Sequence, residues 1–114
     1  MDNEAALPNR VIVKVDAAGK PTCTPALLSV STPNVDLLFI VQTAGYVFPA
    51  SNAVVVTNPG TQFPNGSQTV PPANTRATLY DANTLPGDFA YTVTVQHVAS
   101  GQQVSVDPTI RNEA

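Results

Sequence analysis

The stretch Tyr91–Pro108, YTVTVQHVASGQQVSVDP, decides the fold. Apolar and polar side chains alternate before residues 99–101, Ala-Ser-Gly, and alternate again after them. Such alternation around a short glycine-containing turn predicts a β-hairpin, with strands near Phe89–Val98 and Gln102–Asp107. One face of the first strand carries a stripe of five side chains: Phe89, Tyr91, Val93, Val95 and His97. We expect this stripe to enter a hydrophobic core.

The composition extends this interpretation to the whole chain. Of its 114 residues 43% are hydrophobic and only 11% are charged, and it contains 16 valines and 13 threonines. Abundant β-branched residues favour strands over helices or disorder. We therefore predict one all-β domain over residues 1–114, with mobile ends at 1–8 and 111–114. Residues 58–75, rich in Pro, Gly and Asn, are predicted to form a long loop.

Further strands are predicted from similar patterns, and they lie at residues 10–16, 26–31, 35–43, 51–58 and 76–81. The segment at 35–43 contains the unbroken apolar run Leu37–Val41, which is typical of a central strand covered on both faces. Seven or eight short strands with frequent turns predict a single-domain antiparallel β-sandwich, immunoglobulin-like or cupredoxin-like in size. The chain has no Trp, which excludes the Cys–Trp–Cys pattern of antibody domains.

The C-terminal segment YTVTVQHVASGQQVSVDPTIRN resembles the closing hairpin of small bacterial β-sandwich proteins of the DP-EP type. The shared features are an aromatic-led alternating strand, a short glycine turn and a strand that runs into Asp107-Pro108. The resemblance covers about twenty residues, chiefly Tyr91, Gly101, Asp107, Pro108, Ile110 and Asn112. It implies a sandwich fold and no established function or catalytic residue.

Charge and hydropathy exclude several kinds of partner. The five basic residues are scattered singly and the net charge is −3, so we expect no nucleic-acid partner and no anionic membrane surface. The longest apolar run has five residues, which is too short to span a membrane. The N-terminal sequence MDNEAALPNR does not resemble a secretory signal as written. With a single cysteine, these features predict a cytoplasmic protein, or a secreted one if a signal peptide has been removed.

The chain has too few histidines and cysteines to coordinate a metal cofactor at the usual His and Cys sites. One histidine, His97, and one cysteine, Cys23, cannot form a blue-copper site or a structural zinc site. Asp81 and Asn83 are spaced like the start of an oxygen-ligand loop, and Asp88 is near, but no EF-hand pattern follows. We therefore predict no metal and no cofactor, and we interpret Cys23 as a small buried hydrophobe.

Catalysis would have to depend on His97. A hydrolase-like site would need a Ser or Cys nucleophile and an acid beside it, and no Gly-x-Ser-x-Gly motif is present. The position of His97 at the end of an apolar stripe instead indicates that the ring caps the core. An enzyme centred on His97 is therefore kept only as an alternative.

Binding and assembly are the functions that the sequence favours. The predicted ligand or partner contacts are Phe63, Asn65, Tyr46 and Tyr80. Phe63 lies in the long loop and has two interpretations, an anchor of that loop or an apolar contact; Asn65 also begins the glycosylation sequon Asn-Gly-Ser. The weakly charged hairpin edge, and Ile12, Leu38 and Ile40 on the outward face, suggest association with itself or another protein. We predict a non-catalytic binding or assembly domain, or alternatively a small-ligand or glycan-binding module that uses residues 58–75.

Overall fold

The computed structural model describes residues 8–113, and over this range the protein is all-β. The predicted mobile segment 1–8 therefore lies outside the described residues except for Pro8. The strands are β1 (Arg10–Val15), β2 (Pro21–Thr24), β3 (Leu27–Val30), β4 (Val35–Val41), β5 (Tyr46–Val47), β6 (Val54–Val56), β7 (Gln68–Thr69), β8 (Arg76–Asp81), β9 (Gly87–His97), β10 (Gln103–Val106) and β11 (Thr109–Asn112). Residues 8–113 contain no helix long and apolar enough to cross a membrane.

The strands form two packed sheets, which confirms the β-sandwich. The first sheet has the order β2-β1-β4-β8-β7, and the second has the order β10-β9-β11-β3, with β5 and β6 also paired to β9. Two details differ from the prediction. The sheets are mixed, because β1 runs parallel to β4 and β11 runs parallel to β3. Residues 8–113 also form eleven strands rather than seven or eight. The four additional strands are β2, β5, β7 and β11, and β5 and β7 have only two residues each.

The predicted hairpin is confirmed and is longer than expected. Strand β9 pairs first with β10 and then with β11 in one unbroken register, from Gln103 opposite Gln96 to Asn112 opposite Gly87. Across the Asp-Pro step between β10 and β11, the Tyr91 N–H still donates to the Pro108 carbonyl at 3.1 Å. From the sequence, residues 111–114 are expected to be mobile. In the structure, Arg111 and Asn112 of this segment are paired in β11.

The core lies between the two sheets and uses the expected stripes. Val11, Val13 and Val15 of β1 and Val93 and Val95 of β9 all point inward and are buried. At the centre the rings of Phe39 and Tyr91 meet edge to face, with centroids 5.6 Å apart. Edge-to-face aromatic pairs contribute about 0.5–1.5 kcal/mol beyond the area they bury.

The outward face of the first sheet does not expose the apolar residues expected there. Ile12 and Ile40 are cross-strand neighbours in the β1–β4 pair, and both are buried; Leu38 is half-buried. Strand β4, which lies at the centre of its sheet, is therefore largely covered on both sides, as its apolar run predicts. It follows that these three side chains do not form an open surface for assembly.

Within residues 8–113 the chain passes from one sheet to the other five times, among them between β2 and β3 and between β6 and β7. Strands β2 and β3 are separated by only two residues, yet β2 pairs in the first sheet and β3 in the second. On another edge, the segment between β6 and β7 crosses from the second sheet to the first. The crossing between β6 and β7 contains most of the predicted loop at 58–75, and it forms the wall of the groove described next.

Candidate functional site: the loop groove

An open groove lies between β6 and the segment 59–67 that follows it, and we call it the loop groove. Its volume is about 390 Å³. Its apolar lining comes from the three valines of β6, from Leu79 of the core, and from Pro59, Phe63 and Pro64 of the loop. Its polar lining comes from Ser51, Asn52, Asn65 and Ser67. None of the residues that line it carries a charge.

The loop wall is held in place by hydrogen bonds to both sheets. The Val54 N–H of β6 donates to Ser67 Oγ at 3.1 Å, and the Thr69 hydroxyl donates to the Pro49 carbonyl at 2.6 Å. The Ala82 N–H donates to the Gln62 carbonyl at 2.8 Å. A long loop is usually the least constrained part of a small domain. Here the bonds fix its course, so the groove exists without a ligand.

Phe63 anchors the loop, and this decides between its two interpretations. Its side chain is only 4% exposed and meets the ring of Phe89 edge to face, with centroids 5.0 Å apart. Most of the ring is therefore packed as the anchor interpretation requires. Phe63 still lines the loop groove, because part of its surface forms the apolar floor.

Asn65 connects the loop groove to a smaller one. Asn65 is exposed, and together with Gly66 it also lines a polar recess of about 120 Å³ that includes Asp36 and Tyr80. The Tyr80 hydroxyl donates to Asn34 Oδ1. The structure therefore brings three of the four predicted contacts, Phe63, Asn65 and Tyr80, to adjoining grooves.

Tyr46, the fourth predicted contact, lies in a different groove. It lies in a groove of about 450 Å³ at the hairpin turn, where its ring packs on His97 with centroids 5.0 Å apart. Strand β5 positions it there, because Tyr46 pairs directly with His97 in the β5–β9 register. Tyr46 is therefore separated from Phe63, Asn65 and Tyr80, and its part in ligand or partner contact stays a prediction.

His97 is half-buried at the end of β9, and its ring is held within its own turn. Its Nδ1 lies 2.9 Å from Ser100 Oγ, and that oxygen also accepts the Gln102 N–H at 3.2 Å. The described residues that line this groove include no carboxylate to orient the imidazole. The geometry is that of a capped hairpin turn, and within residues 8–113 it assembles no Ser–His–acid triad.

Cys23 lies buried in β2, and burial raises the pKa of its thiol to about 12. Burial also raises the pKa of Tyr91, and the nearby Cys23 adds to that effect. We expect the folded protein to react with a disulfide reagent such as DTNB at pH 8 about a thousandfold more slowly than a free thiol, because the thiolate is the reactive form. Repeating the reaction in guanidinium chloride should restore the ordinary rate. Equal rates in both conditions would contradict the burial of Cys23.

A buried polar cluster, which the sequence did not reveal as a unit, lies at one end of the sandwich. Its members are Gln62, Asp81, Asn83 and Asn112, all at most 3% exposed. Asp81 Oδ1 accepts the Asn83 N–H at 2.9 Å and the Asn112 side-chain amide at 3.0 Å. Gln62 Oε1 accepts the N–H groups of Thr84 and Leu85, at 2.8 and 3.2 Å. The cluster therefore ties the long loop, the end of β8 and β11 together.

Asp81 is the only ionisable group of this cluster. Burial raises the pKa of its carboxyl, and the hydrogen bonds from Asn112 and from the Asn83 backbone oppose the rise. A carboxyl whose pKa is raised by folding stabilises the protein most in acid, and this contribution is lost as the pH rises through the raised pKa. Asp88, the other acid that the sequence placed nearby, is instead exposed and paired with Arg111 at 2.8 Å, which lowers its pKa.

Three oxygens of the cluster have no hydrogen-bond donor: Asp81 Oδ2, Asn83 Oδ1 and Asn112 Oδ1. A buried acceptor without a partner costs about 1–3 kcal/mol. The spacing of Asp81 and Asn83 was visible in the sequence. Asn112 was not a candidate, since it stood in a segment expected to be mobile.

Comparison with known protein families and with curated proteins finds no match for this chain.

Proposed function

We propose that this chain is a non-catalytic binding domain that takes a small, uncharged ligand in the loop groove. One observation carries the proposal: an open groove with an apolar floor lies on a wall that is already fixed to both sheets. A preformed, mostly apolar concavity with a few polar groups is typical of small-molecule sites, and 300–1,000 Å³ is their usual volume range. The volume of about 390 Å³ lies near the lower end of this range.

The lining defines the class of ligand. Val54, Val55 and Phe63 offer an apolar surface, whereas Ser51 and Asn65 can exchange hydrogen bonds with hydroxyl groups. Ser67 Oγ accepts a bond from Val54 and can still donate through its own hydrogen. A charged ligand would lose its hydration without gaining a counter-charge from these residues. The best fit is a neutral molecule with an apolar face and hydroxyl groups, such as a sugar or a small alcohol.

The test uses a charge placed in the groove. Val55 lines the groove and is 46% exposed, so Val55→Lys should fold normally and block an uncharged ligand. Val98→Lys is the matched control, because Val98 is 62% exposed at the hairpin turn and is not part of the groove lining. We expect methyl glucoside and isopropanol, titrated at millimolar concentration, to shift the amide NMR signals of residues 54–67. Val98→Lys should keep these shifts and Val55→Lys should lose them.

Two results would contradict the proposal. One is the absence of probe-induced shifts around the groove in the wild type. The other is equal loss of the shifts in both lysine variants, because that would indicate a general effect of charge.

Assembly through strand β10 is a second candidate. This strand ends its sheet, pairs with β9 in the described structure, and consists of Gln103–Val106 without a charged residue. Unpaired edges that lack charge favour pairing with another chain. Sedimentation at micromolar concentration should then show dimers that Ser105→Lys abolishes, whereas a monomer at every concentration would contradict this candidate.

A further inference from the structure

We propose that Asp81, Asn83 and Asn112 bind a hard, oxygen-preferring cation of the Ca²⁺ class at the end of the sandwich. This site is separate from the loop groove and does not depend on the function proposed for it. Each of these three side chains has one buried oxygen that no donor reaches.

The identity of these atoms as oxygens follows from their neighbours. The Asn83 amide nitrogen donates to the carbonyls of Val30 and Thr32, both at 3.0 Å. The Asn112 amide nitrogen donates to Asp81 Oδ1 at 3.0 Å and to Gln62 Oε1 at 3.4 Å. Turning either amide over would place its oxygen against two other oxygens. Both amides are therefore held with the nitrogen bonded and the oxygen bare.

The three side chains belong to one small cluster. Asp81 Oδ1 accepts bonds from both partners, from Asn83 through its backbone N–H and from Asn112 through its side chain. The bare oxygen of Asp81 is on the same carboxyl carbon, and the bare oxygen of Asn112 is on the same amide carbon as its bonded nitrogen. The hydrogen bond between the Asn112 amide and Asp81 Oδ1 joins the two groups that carry these bare oxygens. Covalent geometry therefore keeps both bare oxygens within a few ångströms of that bond.

Counting hydrogens distinguishes the candidate occupants. A proton on Asp81 would turn one bare oxygen into a donor, and that donor could serve only one of the other two oxygens. One water molecule has two hydrogens for three acceptors. A cation among the three side chains would be coordinated by all three oxygens, and carboxylate and carboxamide oxygens are the ligands that Ca²⁺ takes in proteins. The donors that already reach Asp81 are amides, which leave its negative charge in place.

The ligand set also predicts the strength and selectivity of binding. With a single carboxylate, the affinity should be of the order of 10⁻⁴–10⁻³ M, as in weak calcium sites with few charged ligands. Mg²⁺ requires near-octahedral geometry and keeps its waters, so a buried set of two amides and one carboxylate should discriminate against it.

The test is thermal unfolding of the full chain in chelator-treated buffer at constant ionic strength. CaCl₂ at about 10 mM should raise the Tm by about 5–10 °C, and MgCl₂ at the same concentration should not. Asp81→Asn should abolish the calcium response, and it should be more stable than the wild type without calcium because the new amide can donate to a bare oxygen. Asp88→Asn is the matched control, because it removes an exposed acid near the same end and should keep the full response.

Calorimetric titration of the wild type with Ca²⁺ is the second measurement, and it should give one site per chain even if Asp81→Asn fails to fold. The proposal is overturned if calcium changes neither Tm nor heat, or if Asp81→Asn keeps the wild-type response. It is also overturned if acid alone gives the full stabilisation and calcium adds nothing, because a proton would then be the occupant. None of these outcomes bears on ligand binding in the loop groove.

Discussion

Replacing Phe63 by alanine should lower the free energy of unfolding by about 3–5 kcal/mol, the range for truncating a buried aromatic residue. Phe63 is 4% exposed and packs edge to face on Phe89, which itself borders the core. Removing the ring creates a cavity under the loop and detaches the wall of the loop groove from the second sheet. The loss should therefore affect both stability and ligand binding.

Urea denaturation measures the first effect, and probe titration of the groove measures the second. Phe63→Leu is the control, because it keeps an apolar side chain in the same space and should cost about 1–2 kcal/mol. It should also retain the groove. If Phe63→Ala had the same urea midpoint of unfolding as the wild type, Phe63 would not be an anchor. The alternative interpretation of Phe63 as an apolar contact for a ligand or partner would then be favoured.

Replacing Asn83 by alanine should cost about 3–5 kcal/mol for two separate reasons. The substitution removes the amide that donates to the carbonyls of Val30 and Thr32, and a buried acceptor left without a donor costs about 1–3 kcal/mol. In addition, Asn83 has a φ of 47°, in the left-handed region, which costs a residue such as alanine about 1–2 kcal/mol.

Asn83→Gly separates the two contributions, because glycine adopts this backbone conformation without steric cost. Both variants lose the hydrogen bonds, so the difference between them in urea denaturation reports the backbone alone. We expect Asn83→Gly to be the more stable of the two by about 1 kcal/mol. Stability equal to the wild type in Asn83→Gly would contradict a net cost of losing the Asn83 side chain.

The alternation of apolar and polar residues predicted the hairpin, but it did not predict which sheet each strand joins. The alternation of residues 91–106 was enough to place the hairpin and its inward stripe, since strand periodicity is a property of neighbouring residues. The strand switch between β2 and β3 could not be predicted in this way. Nothing in the segment Pro21–Val30 indicates which sheet each half will join, because that depends on β1 and β11 elsewhere in the chain.

The same distinction between local and long-range information applies to the site residues. Phe63 and Asn65 were found because they stand in an unusual loop, and the structure places both at the loop groove. Tyr46 was grouped with them only by residue type, whereas its position follows from pairing with His97. Asn112 was missed because its role arises from a hydrogen bond to Asp81, 31 residues away in the chain. The local sequence around a residue does not indicate such a long-range hydrogen-bond partner.

The position of β11 has a consequence for the order in which this protein can fold during synthesis. This strand lies inside the second sheet, between β9 and β3, and it carries the Asn112 amide that binds Asp81. In a nascent chain that ends before Thr109, β3 lacks its partner strand β11. Asp81 also lacks the hydrogen bond from the Asn112 amide and keeps only the one from the Asn83 N–H. Strand β3 can therefore join the second sheet only after residues 109–112 have left the ribosome, although β3 emerges about 80 residues earlier.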